Sequence, residues 1–418
     1  MRSIVLQSLR LFVCSGISTT VKGLNQPLIR KKPHFIAKRF CSQKSVSPDA
    51  SSAVPSTHDS NDIPSAAAAS PPSEYRLGPE SELEPRILVV GDGDLSYSAS
   101  IASQSSKSDI SLVASVLESE AEHARVYRNS QQHIQSISSF PSHHLLFETD
   151  ATRLHQQFPS DMSFDRIIFN FPHWLGKKSN NRYNRELLGN FLASASQVLK
   201  QNGGEIQVAL RSEQGGAHSE DLVAWKTSWK AAELAVDAGL MLRRLDPFVP
   251  TYDVSSYRGA DKKFHLGVKP ERYIFTFPNG RPIDRDLQIC YRHELRIMLD
   301  PACLDASPYP KDALLNDDSI VLDIARSVAP EGVHVEIPIR TQITPTPGKN
   351  TAHCPLLVFL LVYGGDSIPL QRMEADSIRE RLEEAVKTRL GFPLAKPGRL
   401  VSKPFPYVLL RKLVRDYS

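Results

Sequence analysis

The chain has 418 residues, 41% of them apolar and 23% charged, with 50 Lys and Arg against 46 Asp and Glu and a formal net charge of +4. Such a composition supports a hydrophobic core and excludes collagen-like, mucin-like and wholly disordered chains, and the length suits two domains better than one. The longest apolar run, Pro355 to Tyr363, is strand-sized and far short of the roughly 20 residues that cross a bilayer, so stable membrane insertion is not expected.

The charge is uneven. Residues 1–48 hold 9 Lys and Arg and no acid, whereas the other 370 residues hold 41 basic and 46 acidic side chains, a net −5. Residues 1–41 read as a cleavable targeting peptide, basic and acid-free, with apolar side chains at Ile4, Leu6, Leu9, Leu11 and Phe12. Arg39-Phe40-Cys41-Ser42 resembles a mitochondrial processing site. The mitochondrial matrix is the expected destination, with a plastid as the alternative, or the nucleolus if the leader is no targeting signal. Residues 42–84, rich in Ser, Ala and Pro, read as a tether too polar to offset the entropy of ordering. Removal of the leader takes Cys14 and Cys41 with it. Cys290, Cys303 and Cys354 remain, widely spaced and without a CxxC pair, so no disulfide framework and no metal site are expected.

Arg86 to Val90 is a short apolar run, the pattern of a buried strand, and it enters Gly91-Asp92-Gly93-Asp94-Leu95-Ser96 directly. A helix is predicted through Tyr97, Ile101 and Ala102. Strand, glycine turn and helix together form the first unit of a nucleotide-type α/β domain. Further strands are predicted at 110–117, 145–148, 164–169, 205–210 and 273–277, with helices over 186–199 and 229–238. The alternation implies a Rossmann-like domain over residues 85–278 with a mainly parallel sheet. The loop lacks the spacing of a dinucleotide fingerprint and the Lys-Ser/Thr of a P-loop. Asp92 repels phosphate and suits a ligand carrying an ammonium or sulfonium, which favours S-adenosylmethionine over NAD. The alternative is a structural turn closed by an Asx bond. Glu118 ends the second strand, where a carboxylate meets ribose hydroxyls. Asn170-Phe171-Pro172-His173 follows the fourth strand. An Asn amide and a rigid Pro backbone suit the orientation of a planar nitrogen, and Phe171 or His173 suits either stacking on a base or packing.

Taken together, the blocks Val90 to Ser98, Thr149-Asp150-Ala151-Thr152, Phe164 to His173 and Asn184-Arg185-Glu186-Leu187-Leu188 resemble the ribosomal RNA (uridine-N3)-methyltransferase-like family over about residues 85–278. The resemblance implies a Rossmann-like domain that transfers a methyl group from S-adenosylmethionine to N3 of a uridine in ribosomal RNA. It implies that Gly91, Asp92, Gly93 and Ser96 line the cofactor, that Glu118 meets its ribose and that Asp150 lies near its adenine. Asn170, Pro172 and His173 would face the target base. Three departures stand out: Leu95 where the family has Phe, Trp174 to Ser179 where a small residue and glycine are common, and Tyr257 to Ala260, which keeps only part of a late block. Uracil N3 carries a proton at neutral pH, so transfer needs a base or hydrogen bonds that favour the deprotonated ring. His173 is the candidate base, Asp150 and Asp92 are the alternatives, and an orienting or stacking His173 is the competing role.

Beyond residue 280 the rhythm changes. Strands are predicted at 293–299, 333–341, 355–363 and 406–413, and helices at 317–328 and 373–390. The order β-α-β-β-α-β is ferredoxin-like, an α+β domain over residues 285–418. It is similar to the ferredoxin-fold anticodon-binding domain of phenylalanyl-tRNA synthetases. Lys387 to Ser418 hold 8 basic residues and 1 acid. Arg389, Lys396, Arg399, Lys403, Arg411 and Lys412 are candidate phosphate contacts, and a solvated face is the alternative. The leading expectation is an S-adenosylmethionine-dependent methyltransferase acting on ribosomal or other organellar RNA. An RNA-binding or ribosome-assembly factor that keeps the fold without using transfer is the second class, and a small-molecule or protein methyltransferase the third. Nothing in the sequence addresses oligomerisation.

Overall fold

The computed structural model describes residues 84–105, 110–174, 180–256, 259–343, 354–395 and 403–417. The leader, the tether up to residue 83 and the candidate cations Lys396 and Arg399 lie outside the described residues, as do most of the residues in the departures at 174–179 and 257–260.

Seven strands form the first sheet: β1 (Arg86–Val90), β2 (Ser111–Ser115), β3 (His143–Leu146), β4 (Arg166–Asn170), β5 (Glu205–Leu210), β6 (Met241–Pro247) and β9 (Glu271–Thr276). Their order is β3-β2-β1-β4-β5-β9-β6. The first five run parallel, and β9 is antiparallel to both β5 and β6. The central strands are apolar on both faces because helices cover both, which is why they read as unbroken apolar runs. Successive strands progress one way from β1 to β3 and the other way from β4, so the direction reverses between β1 and β4. Loops leaving these two carboxyl ends diverge and open a crevice, the position at which open α/β sheets bind ligands. A two-stranded hairpin, β7 (Ser255–Ser256) with β8 (Gly259–Lys263), lies between β6 and β9.

Helix boundaries differ from the sequence reading in informative ways. The helix expected from Glu186 begins at Asn181, capped by the Asn180 side chain on the Arg182 N–H. Two unforeseen helices, Glu120–Val126 and Ser130–Ser138, connect β2 to β3. Ser119 caps the first of them through the Glu122 N–H, and this Ser-x-x-Glu spacing was the available signal.

The second sheet holds β10 (Ile289–Met298), β11 (Val333–Ile343), β12 (Leu356–Gly365) and β13 (Phe405–Pro406) in the order β11-β12-β10-β13, all antiparallel. This is the ferredoxin-like arrangement, with helices Ser319–Val328 and Arg372–Leu390 as its crossovers. The expected last strand over 406–413 is a correction: pairing stops at Pro406, and Tyr407–Tyr417 is a helix. Tyr407 and Leu410 are buried one helical turn apart, with Arg411 exposed beside them, a period of 3.6 that the leucine-rich run conceals. The stretch between β9 and β10 contains the expected boundary at 278–285. The two sheets nonetheless share one apolar cluster, which runs from Leu242 and Phe275 to Ile289 and Tyr291. Buried Gln288 donates to the Leu242 carbonyl at 2.7 Å across the junction.

Candidate functional site at the carboxyl edge of the first sheet

The loop after β1 is built by steric exclusion. Gly91 has φ +62, and a Cβ there would lie 2.7 Å from the Phe169 ring of β4. The loop therefore passes so close to β4 that a side chain at 91 has no room. Gly91→Ala is expected to lower stability by about 1–2 kcal/mol through the left-handed φ alone and to displace the loop. Denaturant unfolding and donor-binding calorimetry on the variant check this, and unchanged values in both would contradict it.

Two histidines hold the loop from outside. The His123 Nε2 and His133 Nδ1 ring nitrogens donate to the carbonyls of Gly93 and Asp94, each at 2.8 Å. Neither residue was singled out in the sequence, because their helices were not. His123 is fully buried. His123→Leu leaves the Gly93 carbonyl without that donor, and a loss of about 1–3 kcal/mol of stability is expected, readable in urea.

Backbone strain collects at the same edge. Five described non-glycine residues have positive φ, and four of them, Leu95, Glu148, Phe171 and Glu213, follow β1, β3, β4 and β5. Such conformations cost on the order of 1 kcal/mol each and persist where surrounding structure enforces them, typically at functional sites.

All nine residues expected at the cofactor and target base follow these adjacent parallel strands. Gly91, Asp92, Gly93 and Ser96 leave β1, Glu118 leaves β2, Asp150 leaves β3, Asn170 ends β4, and Pro172 and His173 leave it. Their side chains are not equally available. Asp150 caps a short turn, accepting from the Thr152 N–H at 2.8 Å and its hydroxyl at 2.7 Å, with Arg153 3.7 Å away. The Ser96 hydroxyl donates to Asp94 Oδ1 at 2.7 Å and lies 3.3 Å from the Asp253 carbonyl oxygen. Phe171 packs edge-on against Phe248 at 4.9 Å and against Phe264 at 5.1 Å, so of its two suggested roles it fills the packing one. Pro172 is buried and His173 half-buried.

Asp92 and Asn170 are the informative pair. Asp92 accepts the Ser98 N–H at 2.6 Å. Burial pushes its carboxyl up to about 7, helped by the negative Asp94 and opposed by the Ser98 hydrogen bonds. Asn170 Nδ2 lies 3.4 Å from the Tyr252 hydroxyl, while Oδ1 is buried and accepts no hydrogen bond. A crowded carboxyl and an orphaned amide oxygen both call for a donor or a cation. S-adenosylmethionine brings an ammonium and a sulfonium, so the residues present fit it. The glycine loop and Asp92 would hold it, and Asn170 would face it from β4.

Tyr252 belongs to a strap, residues 248–256 and 259–264, that meets this edge. The Ser255 hydroxyl donates to Asp94 Oδ2 at 2.6 Å, and the Tyr252 ring lies 5.0 Å from that of Tyr97. Burial raises the pKa of both tyrosines above the ordinary phenol value. No sequence signal marked Tyr252, because only tertiary contact brings it 82 residues along the chain to Asn170. An open cavity of about 450 Å³ lies between the strap and helices Ser96–Ser105 and Ser130–Ser138. It reaches Asp94, Ser96 and Tyr252 but none of Glu118, Asp150, Asn170 or His173, so it adjoins the crevice from the helix side. Among the described residues no cluster of His, Cys, Asp and Glu is placed to hold a metal ion.

The Asn184-to-Leu188 block serves the same edge. Asn184 is buried and its Oδ1 accepts the Trp174 N–H at 3.0 Å, while Arg185 Nε donates to the Ser228 carbonyl at 2.8 Å.

In the second domain Arg411 is ion-paired with Asp286 at 2.9 Å, and Arg389 donates to the Ser327 hydroxyl at 3.1 Å. Lys403 is exposed and Lys412 half-buried.

Comparison with known proteins finds relatives that share this edge. The mouse ferredoxin-fold anticodon-binding domain-containing protein 1 homolog is 33% identical over 199 residues, 46% of this chain and 31% of that protein. Its human counterpart is 34% identical over 187 residues, 43% of this chain and 29% of that protein. The chain thus spans about three tenths of the length of these relatives. Among solved structures, TrmN from Thermus thermophilus is similar at 19% identity and a TM-score of 0.29, over 47% of this chain and 45% of its own. The model of one family, rRNA (uridine-N3-)-methyltransferase BTM5-like, matches residues 88–259, from β1 through the glycine loop and the Asn170-to-His173 edge into the strap. Residues 88–259 are thus similar to the BTM5-like rRNA (uridine-N3-)-methyltransferase family, a likeness that implies S-adenosylmethionine as the cofactor.

Proposed function

We propose that the protein is an RNA methyltransferase that transfers a methyl group from S-adenosylmethionine to N3 of a uridine in ribosomal RNA. The observation that carries the reading is the placement of Asp92 after β1 and of the orphaned Asn170 Oδ1 and His173 at the end of β4, on either side of the β1/β4 reversal and inside the segment that matches the family. When bound, S-adenosylmethionine supplies an electrophilic methyl group on a sulfonium. Asp92 and the glycine loop hold the donor, and Asn170 with the rigid Phe171-Pro172 backbone orients the base. His173 accepts the N3 proton and so frees the lone pair on N3, to which the bound donor would give its methyl group while departing as a neutral thioether. Nucleoside mass spectrometry of organellar and cytosolic RNA, with and without the protein, is the deciding measurement. Without the protein, disappearance of 3-methyluridine is expected, whereas intact methylation despite RNA binding would replace this reading with an assembly factor.

The ferredoxin-like domain supports RNA as the partner through its basic C-terminal stretch. The anticodon-binding domain in the relatives' name adds transfer RNA as the second class to assay. Replacing Arg389, Lys403 and Lys412 by Ala is expected to reduce the salt slope of single-stranded RNA binding by about 0.7 for each phosphate that is no longer neutralised. An unchanged slope would return these side chains to a solvated face. The acid-free leader supports the mitochondrial matrix as the compartment. Residues 1–41 fused to a fluorescent protein should direct it there, and a plastid, nucleolar or diffuse signal would overturn the assignment.

A further inference from the structure

Trp174 has an environment that gives it a use. It follows His173 directly at the exit of β4. Its indole stacks on the Tyr183 ring with centroids 4.3 Å apart and planes 16° from parallel. The pair is not sealed into a core: Tyr183 is 37% exposed and Trp174 half-buried. Trp225 and Trp229, in contrast, are 3% and 2% exposed. The pair is also held in place from below, because the Trp174 N–H is bonded to the buried Asn184 side chain, a backbone contact that fixes the chain whatever the side chain at 174.

The surroundings suit a polyanion with flat, unpaired rings. Arg182 is exposed on the same helical turn as Tyr183, and the first turn of this 18-residue helix contains no acid. Its positive end and one cation therefore lie beside the aromatic pair. Leu117 after β2, Val249 after β6 and Val268 before β9 are also exposed along the carboxyl edge of this sheet. A duplex hides the faces of its bases, whereas a single strand presents them, and stacking on aromatic rings is the contact that single strands make irrespective of sequence.

We infer that the Trp174–Tyr183 pair is a stacking platform for an unpaired RNA base neighbouring the nucleotide at His173. This rests on the reading of the β4 exit as the place where RNA is modified, and it adds a contact that positions the strand there. The platform leaves the methyl-transfer chemistry to the groups already described and fixes the approach of the strand.

The test is fluorescence titration of the full chain with a short oligouridylate and with a duplex RNA of equal length. Since the other two described tryptophans are buried, the single strand is expected to quench emission from Trp174 and the duplex to leave it unchanged. Trp174→Ala is expected to weaken single-strand affinity roughly 5- to 100-fold, read by anisotropy of a labelled strand, and Trp174→Phe to weaken it about threefold at most. Tyr183→Ala, which leaves the Asn184 anchor untouched, serves as the second variant and should cost about fivefold or more. Parent-like affinity in both Ala variants, or equal quenching by duplex, would overturn the platform. Donor calorimetry on the parent separates the two readings: failure to bind S-adenosylmethionine overturns the proposed reaction, while the quenching and the variants still decide the platform.

Discussion

His173→Ala is expected to lower the turnover of methyl transfer by about 100-fold or more while leaving S-adenosylmethionine affinity within about twofold. The separation follows from position. His173 lies three residues beyond Asn170 at the exit of β4, whereas the loop that holds the donor leaves β1 and is fixed by Phe169, His123 and His133. Removal of the imidazole therefore takes away a proton acceptor without touching the donor's supports. Single-turnover transfer and donor calorimetry on the same preparation measure the two quantities. Partial recovery of the rate by added imidazole would mark lost proton transfer as the cause. Loss of donor affinity with unchanged turnover would assign His173 to the cofactor and leave the proton without this acceptor.

The second large effect is on pH. With its carboxyl pushed up to about 7, Asp92 is neutral in the free fold at pH 6. An ammonium or sulfonium placed beside it favours the carboxylate, so binding expels a proton wherever Asp92 is still protonated, and affinity rises with pH. The gain is close to tenfold per pH unit between about pH 5.5 and 6.5 and levels off by about pH 7.5. The groups facing Asp92 do not reverse this sign. Asp94 adds negative charge, and Tyr97 and Tyr252 have raised pKa values and stay neutral over this range. The unliganded fold shows the opposite trend. A carboxyl whose folded pKa lies above its ordinary value stabilises the fold fully below the unfolded pKa near 3.8, and this contribution is lost as pH rises towards about 7. Calorimetry in buffers of different ionisation heat counts the proton directly, and Asp92→Asn should abolish its release. A donor affinity flat from pH 5.5 to 7.5 in the parent would refute the role given to Asp92.

Much of the site was legible because its parts are local in the chain. The run into Gly91-Asp92-Gly93 announces a strand that must turn tightly, and Asn170 to His173 sits at the end of a second such run. Both readings depend only on neighbouring residues and their periodicity. The features that were not legible are those set by distant partners. Phe171 reads equally as a stacking or a packing residue until Phe248 and Phe264 arrive from the strap. The terminal segment shows the same limit: a leucine-rich stretch after Pro406 suits a strand or a helix by composition, and it is a helix whose buried side chains pack against the shared core.

The sequence by itself determined most strands of the two sheets in their chain order, though not β6 or the extent of β13, together with the glycine loop and the identity of the groups at the strand ends, because a strand's apolar run and a turn's glycine are imposed by adjacent atoms. Only the tertiary structure decided that Phe169 closes the space over Gly91 and that His123 and His133 anchor the loop. It alone brought Tyr252 to Asn170, left Asn170 Oδ1 without a partner and raised Asp92 toward neutrality. Desolvation and steric exclusion depend on everything within a few ångströms, and at this edge those neighbours come from distant strands and loops, as with Asp94 and Ser255, which are 161 positions apart in the chain.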